Sequence, residues 1–184
     1  YIGKVNFDEE MINNTLDNKD ISKEFLNLYK YITAIVTNKE NKEIQKQAFI
    51  MQIELANRLN LPITIHTREA VSDTLEILKQ HPVQQKGVFH CCPLNRELVK
   101  EALKLGFYIS FAGPVTFKNS KNAQEIVEMV PNDRMLIETD SPYLAPEPVR
   151  NVRYIAEKIA NIKSLSTEEI AEITYQNTLK IFKI

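Results

Sequence analysis

Three polar residues stand at the ends of short apolar segments in this sequence. His66 ends the segment LPITIH, His90 ends GVFH, and Asp140 ends MLIETD. If these segments are parallel strands, their carboxyl ends converge on one face, where α/β proteins place their active sites. Two imidazoles and a carboxylate there suit a divalent ion such as Zn²⁺, Mn²⁺ or Mg²⁺. The pattern therefore predicts a metal site, with structural hydrogen bonding as the alternative role of each histidine.

The alternation of side chains along a strand predicts where each candidate ligand points. His66 shares a face with Thr64, and Asp140 shares a face with Glu138. In a barrel, the large apolar side chains would face the surrounding helices and the polar strand ends would face the mouth. We therefore expect the candidate ligands on the same side of the sheet.

Two cations lie close to these strand ends in the sequence. Arg68 begins the loop after the first of these strands, where a guanidinium suits a phosphate oxygen. The alternative is a surface salt bridge with Glu69 or Asp73, which would contribute little to stability. Lys118 follows the third predicted strand and is a second candidate phosphate contact.

Other residues with reactive side chains are weaker candidates. Tyr143 follows shortly after the last candidate ligand in a proline-containing loop, and it could either line a substrate pocket or pack that loop. His81 precedes Pro82 and is interpreted as a helix-end residue, so it is excluded from the site. Cys91 should point away from the histidine before it and is interpreted as a small core residue. No role follows for Cys92.

The segments that position these residues alternate between two periods from residue 43 onward. Strands are predicted at residues 61–67, 87–91, 108–112 and 135–140, and helices at 44–59, 69–80, 95–105, 123–130, 152–162 and 166–182. This alternation predicts βαβ units and a parallel sheet. Residues 22–31 favour a helix, residues 32–36 favour a strand, and residues 140–150 contain three prolines and predict a loop.

Composition limits the class of protein. The 23 Lys and Arg residues nearly balance the 24 Asp and Glu residues, which argues against a bulk polybasic binder of nucleic acid or membrane. No apolar run is long enough to span a membrane, and no signal peptide is recognisable. The two cysteines are adjacent and make a poor structural disulfide, so we expect a cytoplasmic protein.

Length and glycine content exclude several folds. The 184 residues predict one domain over residues 1–184, and the four glycines form neither a Rossmann fingerprint nor a Walker loop. An ordinary (β/α)8 barrel takes about 250 residues and would not fit.

The motifs ITIHTREA, VFHC, YISFAGPVTFKNSK and LIETDSPYLAPEP resemble those of the TatD family of metal-dependent deoxyribonucleases. The resemblance is good over residues 41–184 and poor over residues 1–40. It implies a TIM-barrel-like α/β fold, use of two divalent metals (Mg²⁺, Mn²⁺ or Zn²⁺), and hydrolysis of DNA phosphodiester bonds. Residue by residue, it implies that His66 and His90 are metal ligands, that Asp140 binds metal and helps activate the attacking water, and that Arg68 is the arginine of an IHxR pattern.

Some family features are missing. The sequence contains neither an HxH pair nor a glutamate ligand in a GEIGLDY-like strand, and no GKxNEP-like loop follows Arg150. After the second histidine, CPLN replaces FSGS at equal length. We therefore expect the chain to omit N-terminal strands and some active-site loops of a longer protein. DNA is the expected partner, with no membrane or protein partner evident. A hydrolase of another bond type in the same barrel group and a non-catalytic, metal-site-deficient barrel remain alternatives.

Overall fold

The computed structural model describes residues 42–120, 122–139 and 152–183. The chain divides into two compact units, Tyr1–Leu55 and Ala56–Ile184. All of the described strands lie in the second unit. The helix predicted at residues 22–31 and the strand predicted at 32–36 lie outside the described residues, so the expectation of one domain over residues 1–184 stays a prediction.

Helices and strands alternate along the described residues, as the two sequence periods predict. The strands are β1 (Ile63–His66), β2 (Gly87–His90), β3 (Tyr108–Phe111) and β4 (Met135–Ile137). The helices are α1 (Lys42–Leu59), α2 (Val71–Gln80), α3 (Arg96–Lys104), α4 (Ala123–Met129), α5 (Val152–Lys163) and α6 (Thr167–Phe182), with 3-10 turns at Gly113–Thr116 and Asn132–Arg134. Within the described ranges, no helix combines the length and apolar character that crossing a membrane requires.

The four strands form one parallel sheet in the order β1-β2-β3-β4. Each strand therefore pairs with the next one along the chain, which confirms the predicted succession of β/α units. The register pairs His66 with His90 and Phe111 with Ile137. These four residues are the last of their strands, so they lie at the same end of the parallel sheet. We call this end the carboxyl edge.

One face of the sheet buries the largest apolar side chains. Phe89, Ile109, Phe111 and Met135 are each at most 1% exposed. Phe89 meets Phe107 edge-on, with ring centroids 5.4 Å apart, and α3 packs against β3. Apolar burial on this face stabilises the packing of the sheet.

The opposite face has a smaller apolar cluster with polar side chains beyond it. The cluster consists of Val88, Tyr108, Leu136 and Ile181. Two residues further along the same strands, toward the carboxyl edge, stand His90, Ser110 and Glu138. The apolar layer therefore separates the candidate site from the amino ends of the strands, as the predicted alternation requires.

Helix ends follow the signals in the sequence. Ser166 and Glu169 form a capping box at the start of α6, because each side chain accepts the backbone N–H of the other. Gly106 follows α3 with φ +87°, a conformation that favours glycine. His81 caps the end of α2 and donates its backbone N–H to the Ile77 carbonyl at 2.7 Å. Its assignment as a helix-end residue is confirmed.

Gly87 lets β1 and β2 come together. A Cβ atom at this position would lie 1.9 Å from the backbone oxygen of Ile63. No side chain fits at that separation, so either the backbone of β1 or that of β2 must move. The pairing that aligns the two histidines therefore depends on this glycine.

We expect Gly87→Ala to lower the free energy of unfolding by at least about 3 kcal/mol, the upper part of the range for overpacking. Gly106→Ala is the matched control, because its added Cβ would meet only the flexible Lys86 side chain at 3.5 Å. That variant should lose about 1–2 kcal/mol from its left-handed backbone alone. Urea unfolding of both variants measures the difference, and equal losses would contradict the steric argument.

Candidate metal centre

The structure brings two of the predicted metal ligands together. His66 and His90 are paired residues at the ends of adjacent strands, and their ring centroids lie 5.7 Å apart with the planes tilted by 44°. A metal–nitrogen bond is about 2.0–2.1 Å long, so two such bonds and two ring radii span a separation of this order. Their predicted proximity is confirmed, whereas their role as metal ligands stays a prediction.

Glu138 forms a hydrogen bond with one ring nitrogen of His90. Its Oε2 atom lies 2.5 Å from Nδ1 of His90, although the two residues are 48 positions apart in sequence. Both side chains are about three-quarters buried, with 26% of the histidine and 24% of the glutamate exposed. A carboxylate on one ring nitrogen fixes the orientation of an imidazole and leaves the other nitrogen for a metal, as in most histidine-ligated metal sites.

A small residue makes this contact possible. His90 ends β2 and Glu138 follows β4, so β3 runs between them. The residue of β3 on the same face is Ser110, which is buried and also hydrogen-bonds Glu138 through its side chain. A larger side chain at Ser110 would occupy the space through which the carboxylate reaches the imidazole.

The charge state of Glu138 favours this role. Burial raises the pKa of the Glu138 carboxyl group, but hydrogen bonds from the His90 ring, the Cys91 backbone amide and the Ser110 side chain outweigh it, and the pKa is lowered overall. The group is therefore a carboxylate and an acceptor at neutral pH. It accordingly favours the imidazole form with the proton on Nδ1, in which Nε2 carries the lone pair.

The burial of the two cysteines differs from the prediction. Cys91 is only half-buried, whereas Cys92 is the buried one, so the interpretation of Cys91 as a small core residue was wrong. Cys91 has φ +41°, which ends β2 one residue earlier than predicted and turns its backbone N–H toward a Glu138 carboxylate oxygen. Burial, reinforced by the nearby Cys91 and Glu138, raises the pKa of Cys92 to about 12, so this thiol is inert as a nucleophile.

The remaining predicted residues fall into two groups. Arg68 and Lys118 are both exposed in loops that follow strands at the carboxyl edge, and neither forms an ion pair with a described residue. The alternative salt bridge of Arg68 with Glu69 or Asp73 is therefore not formed.

Asp140 and Tyr143 lie outside the described residues, and their roles stay predictions. Among residues 42–120, 122–139 and 152–183, no group of three or more His, Cys, Asp or Glu side chains is arranged to hold a metal ion. The donor chemistry nonetheless fits a divalent cation, because paired imidazoles with a carboxylate behind one of them are typical of such sites. The described part thus contains two of the three predicted ligands, and their role as a metal centre with Asp140 stays a prediction.

Comparison with known proteins identifies the family. A sequence model for "TatD related DNase" matches residues 31–183. The chain therefore belongs to the TatD family, as its motifs predicted.

Two curated relatives and one solved structure illustrate the similarity. The chain is 46% identical over 155 residues to "Uncharacterized metal-dependent hydrolase YabD" of Bacillus subtilis, a match that covers 80% of this chain and 61% of that protein. It is 38% identical over 148 residues to "Deoxyribonuclease TATDN3" of Homo sapiens, which covers 78% of this chain and 53% of that protein. The chain thus spans about three-fifths of the length of YabD and about half that of TATDN3.

The crystal structure of YjjV, a TatD homologue from Escherichia coli K12, has a TM-score of 0.71 and 19% sequence identity, and the match covers 91% of this chain and 72% of that one. This likeness confirms the TIM-barrel-like α/β fold.

We expect Glu138→Gln to weaken binding of Mn²⁺ and Zn²⁺ about 10- to 100-fold, because an amide cannot provide the charged acceptor that orients His90. Isothermal titration measures the affinities. Glu76→Gln, on the exposed face of α2, is the matched control and should bind as the parent protein does. Parent-like metal affinity in a folded Glu138→Gln variant would contradict the assigned role.

Proposed function

We propose that this protein is a divalent-metal-dependent hydrolase that cleaves phosphodiester bonds in DNA. The observation that carries the proposal is the His66–His90 pair at the carboxyl edge, with Glu138 bound behind one ring. The family membership supports it, as do the names of two relatives, a metal-dependent hydrolase and a deoxyribonuclease. The chain spans only part of the length of those relatives. Their activity is therefore not transferred to it directly, and hydrolysis of DNA stands as a proposal.

The proposed roles follow from the chemistry of each side chain. His66 and His90 hold divalent metal, and the family resemblance favours two ions. Bound divalent metal lowers the pKa of water and offsets negative charge that builds up on a phosphoryl group in the transition state. Asp140 is proposed to bind metal and to take the proton from the attacking water as a general base. Glu138 positions one ligand and does not touch the substrate.

Phosphate recognition is assigned to the unpaired cations. Arg68 follows the first histidine by two residues and is exposed, so its guanidinium is available to two oxygens of one phosphate. Lys118 offers a second positive charge beyond β3. Tyr143 is proposed to line the substrate pocket. These cations favour an anionic diester over a neutral amide or lactone as the substrate.

The first test replaces the proposed general base. Asp140→Asn should lower cleavage of labelled DNA in Mg²⁺ or Mn²⁺ by about 10²- to 10⁴-fold, the usual contribution of a general base, while the fold is retained. EDTA should abolish the parent activity. Asp133→Asn is the control, because Asp133 is exposed in the turn just before β4, at the opposite end of that strand.

Each outcome of this test discriminates between candidate functions. Retained turnover in Asp140→Asn would contradict the assigned base. Hydrolysis of amide, ester or lactone substrates without DNA cleavage would indicate another bond type. Absence of both hydrolysis and metal binding would indicate a non-catalytic barrel.

The second test concerns phosphate contacts. Arg68→Ala and Lys118→Ala should each raise KM for DNA and lower the slope of log affinity against log salt concentration by about one. Arg68→Lys should keep the slope but lose affinity, because an ammonium group cannot bind two oxygens in a fixed fork. Lys180→Ala, an exposed position on α6, is the control. An unchanged slope in the Arg68→Ala variant would remove this residue from the substrate site.

A further inference from the structure

Phe117 is an exposed aromatic side chain in the loop that follows β3. It is 54% exposed and directly follows the 3-10 turn that continues β3 beyond the carboxyl edge. Single exposed apolar residues are common on protein surfaces, so exposure alone assigns nothing. The position, the rigidity of the loop and the neighbouring charge distinguish this residue from the others.

Among the described residues, four other large apolar side chains are exposed, and none of them is in a loop that follows a strand. They are Leu61, Tyr154, Tyr175 and Phe182. Leu61 precedes β1, at the opposite end of that strand, and the other three belong to helices. Phe117 alone of this set lies in a loop that leaves the carboxyl edge, where the two histidines also lie.

The loop holds Phe117 in place. The Phe117 backbone N–H donates to the Pro114 carbonyl at 3.3 Å, and its own carbonyl accepts the Ser120 N–H at 3.0 Å. The hydroxyl of Thr116 donates to the Gly113 carbonyl at 2.7 Å, and Val115 is buried to 1% exposure. The backbone of the turn is thus hydrogen-bonded on both sides of the exposed ring, so the backbone loses little conformational freedom when a ligand binds there.

The adjacent charge indicates what the ring would contact. Lys118 is exposed next to Phe117, Arg68 is exposed in another loop at the same edge, and neither forms an ion pair with a described residue. An aromatic face beside cations is the combination with which proteins bind single-stranded nucleic acid: the cations contact the phosphates and the ring stacks on a base. A neutral or purely anionic small substrate would need no such ring.

We propose that Phe117 is a stacking platform for one nucleobase of the substrate strand, next to the phosphate at the metal site. Stacking accepts any base, since every base has a π-face, so the platform adds affinity with little sequence preference. This inference rests on the proposed function, because it assigns a base-binding position to the same site. Phe117 contributes to binding of the substrate strand and takes no part in the chemical step.

The test compares DNA strands with and without bases. Phe117→Leu should weaken binding of a fluorescent single-stranded oligonucleotide about 5- to 100-fold, the usual range for loss of one stacked base. An oligonucleotide of the same length in which every nucleotide is a stable abasic analogue should bind the parent and the variant equally. Phe117→Trp should keep the preference for base-bearing DNA. Tyr175→Leu, an exposed aromatic position on α6, is the matched control.

Anisotropy measurements with Mn²⁺ use the Asp140→Asn protein, so that binding is measured without cleavage. In the Asp140-containing protein, Phe117→Leu should raise KM for base-bearing DNA and leave kcat unchanged. Equal losses on both oligonucleotides, or no loss on either, would overturn the platform while DNA cleavage by the parent protein stands. If the parent binds DNA but never cleaves it, the proposed function is contradicted. The platform is then still tested by the ratio of the affinities for base-bearing and abasic oligonucleotides. If the parent binds no DNA, both fail.

Discussion

The hydrogen bond between Glu138 and His90 is the interaction on which the candidate site depends. It joins residues that follow β4 and end β2, across β3, which places the small side chain of Ser110 between them. The parallel register and the close approach of β1 and β2 at Gly87 bring His66 to the same edge. Local geometry at one imidazole therefore depends on the order and spacing of the whole described sheet.

The two faces of the sheet contribute differently, one to stability and the other to the candidate site. The face that packs against helices buries rings such as Phe89 and Phe111, and this apolar burial stabilises the sheet. The other face places a thin apolar layer below the polar one, which lowers the local dielectric around Glu138 and His90. A charged hydrogen bond is stronger in such surroundings than in water, so the layer below contributes to the function of the layer above.

Much of this arrangement could be predicted from the sequence. The alternation of β-branched segments with helical periods gave all four described strands to within a few residues, since apolar periodicity reports directly which face is buried. The pairing of His66 with His90 followed from their equivalent positions in successive β/α units. The proximity of two strand ends is a consequence of topology, and topology was encoded in that alternation.

Other features could not be predicted, for physical reasons. The role of Glu138 depends on the small side chain of Ser110 in a third strand, and on a backbone turn at Cys91 that no local propensity indicates. The shared face of Glu138 and Asp140 was the one available signal, but it does not say which carboxylate meets an imidazole. The burial of Cys92 in place of Cys91 has the same origin, because φ +41° breaks the alternation that the sequence suggests.

The small side chain of Ser110 affects which substitutions this protein tolerates. The residue carries no charge, but a larger side chain there would reduce the space in which the carboxylate and the imidazole meet. Substitutions at Ser110 and Glu138 should therefore be strongly non-additive, because once the carboxylate is lost, the volume at Ser110 no longer matters for the histidine. The order in which mutations accumulate then becomes important: an enlarged side chain at this position is harmful on one genetic background and neutral on another.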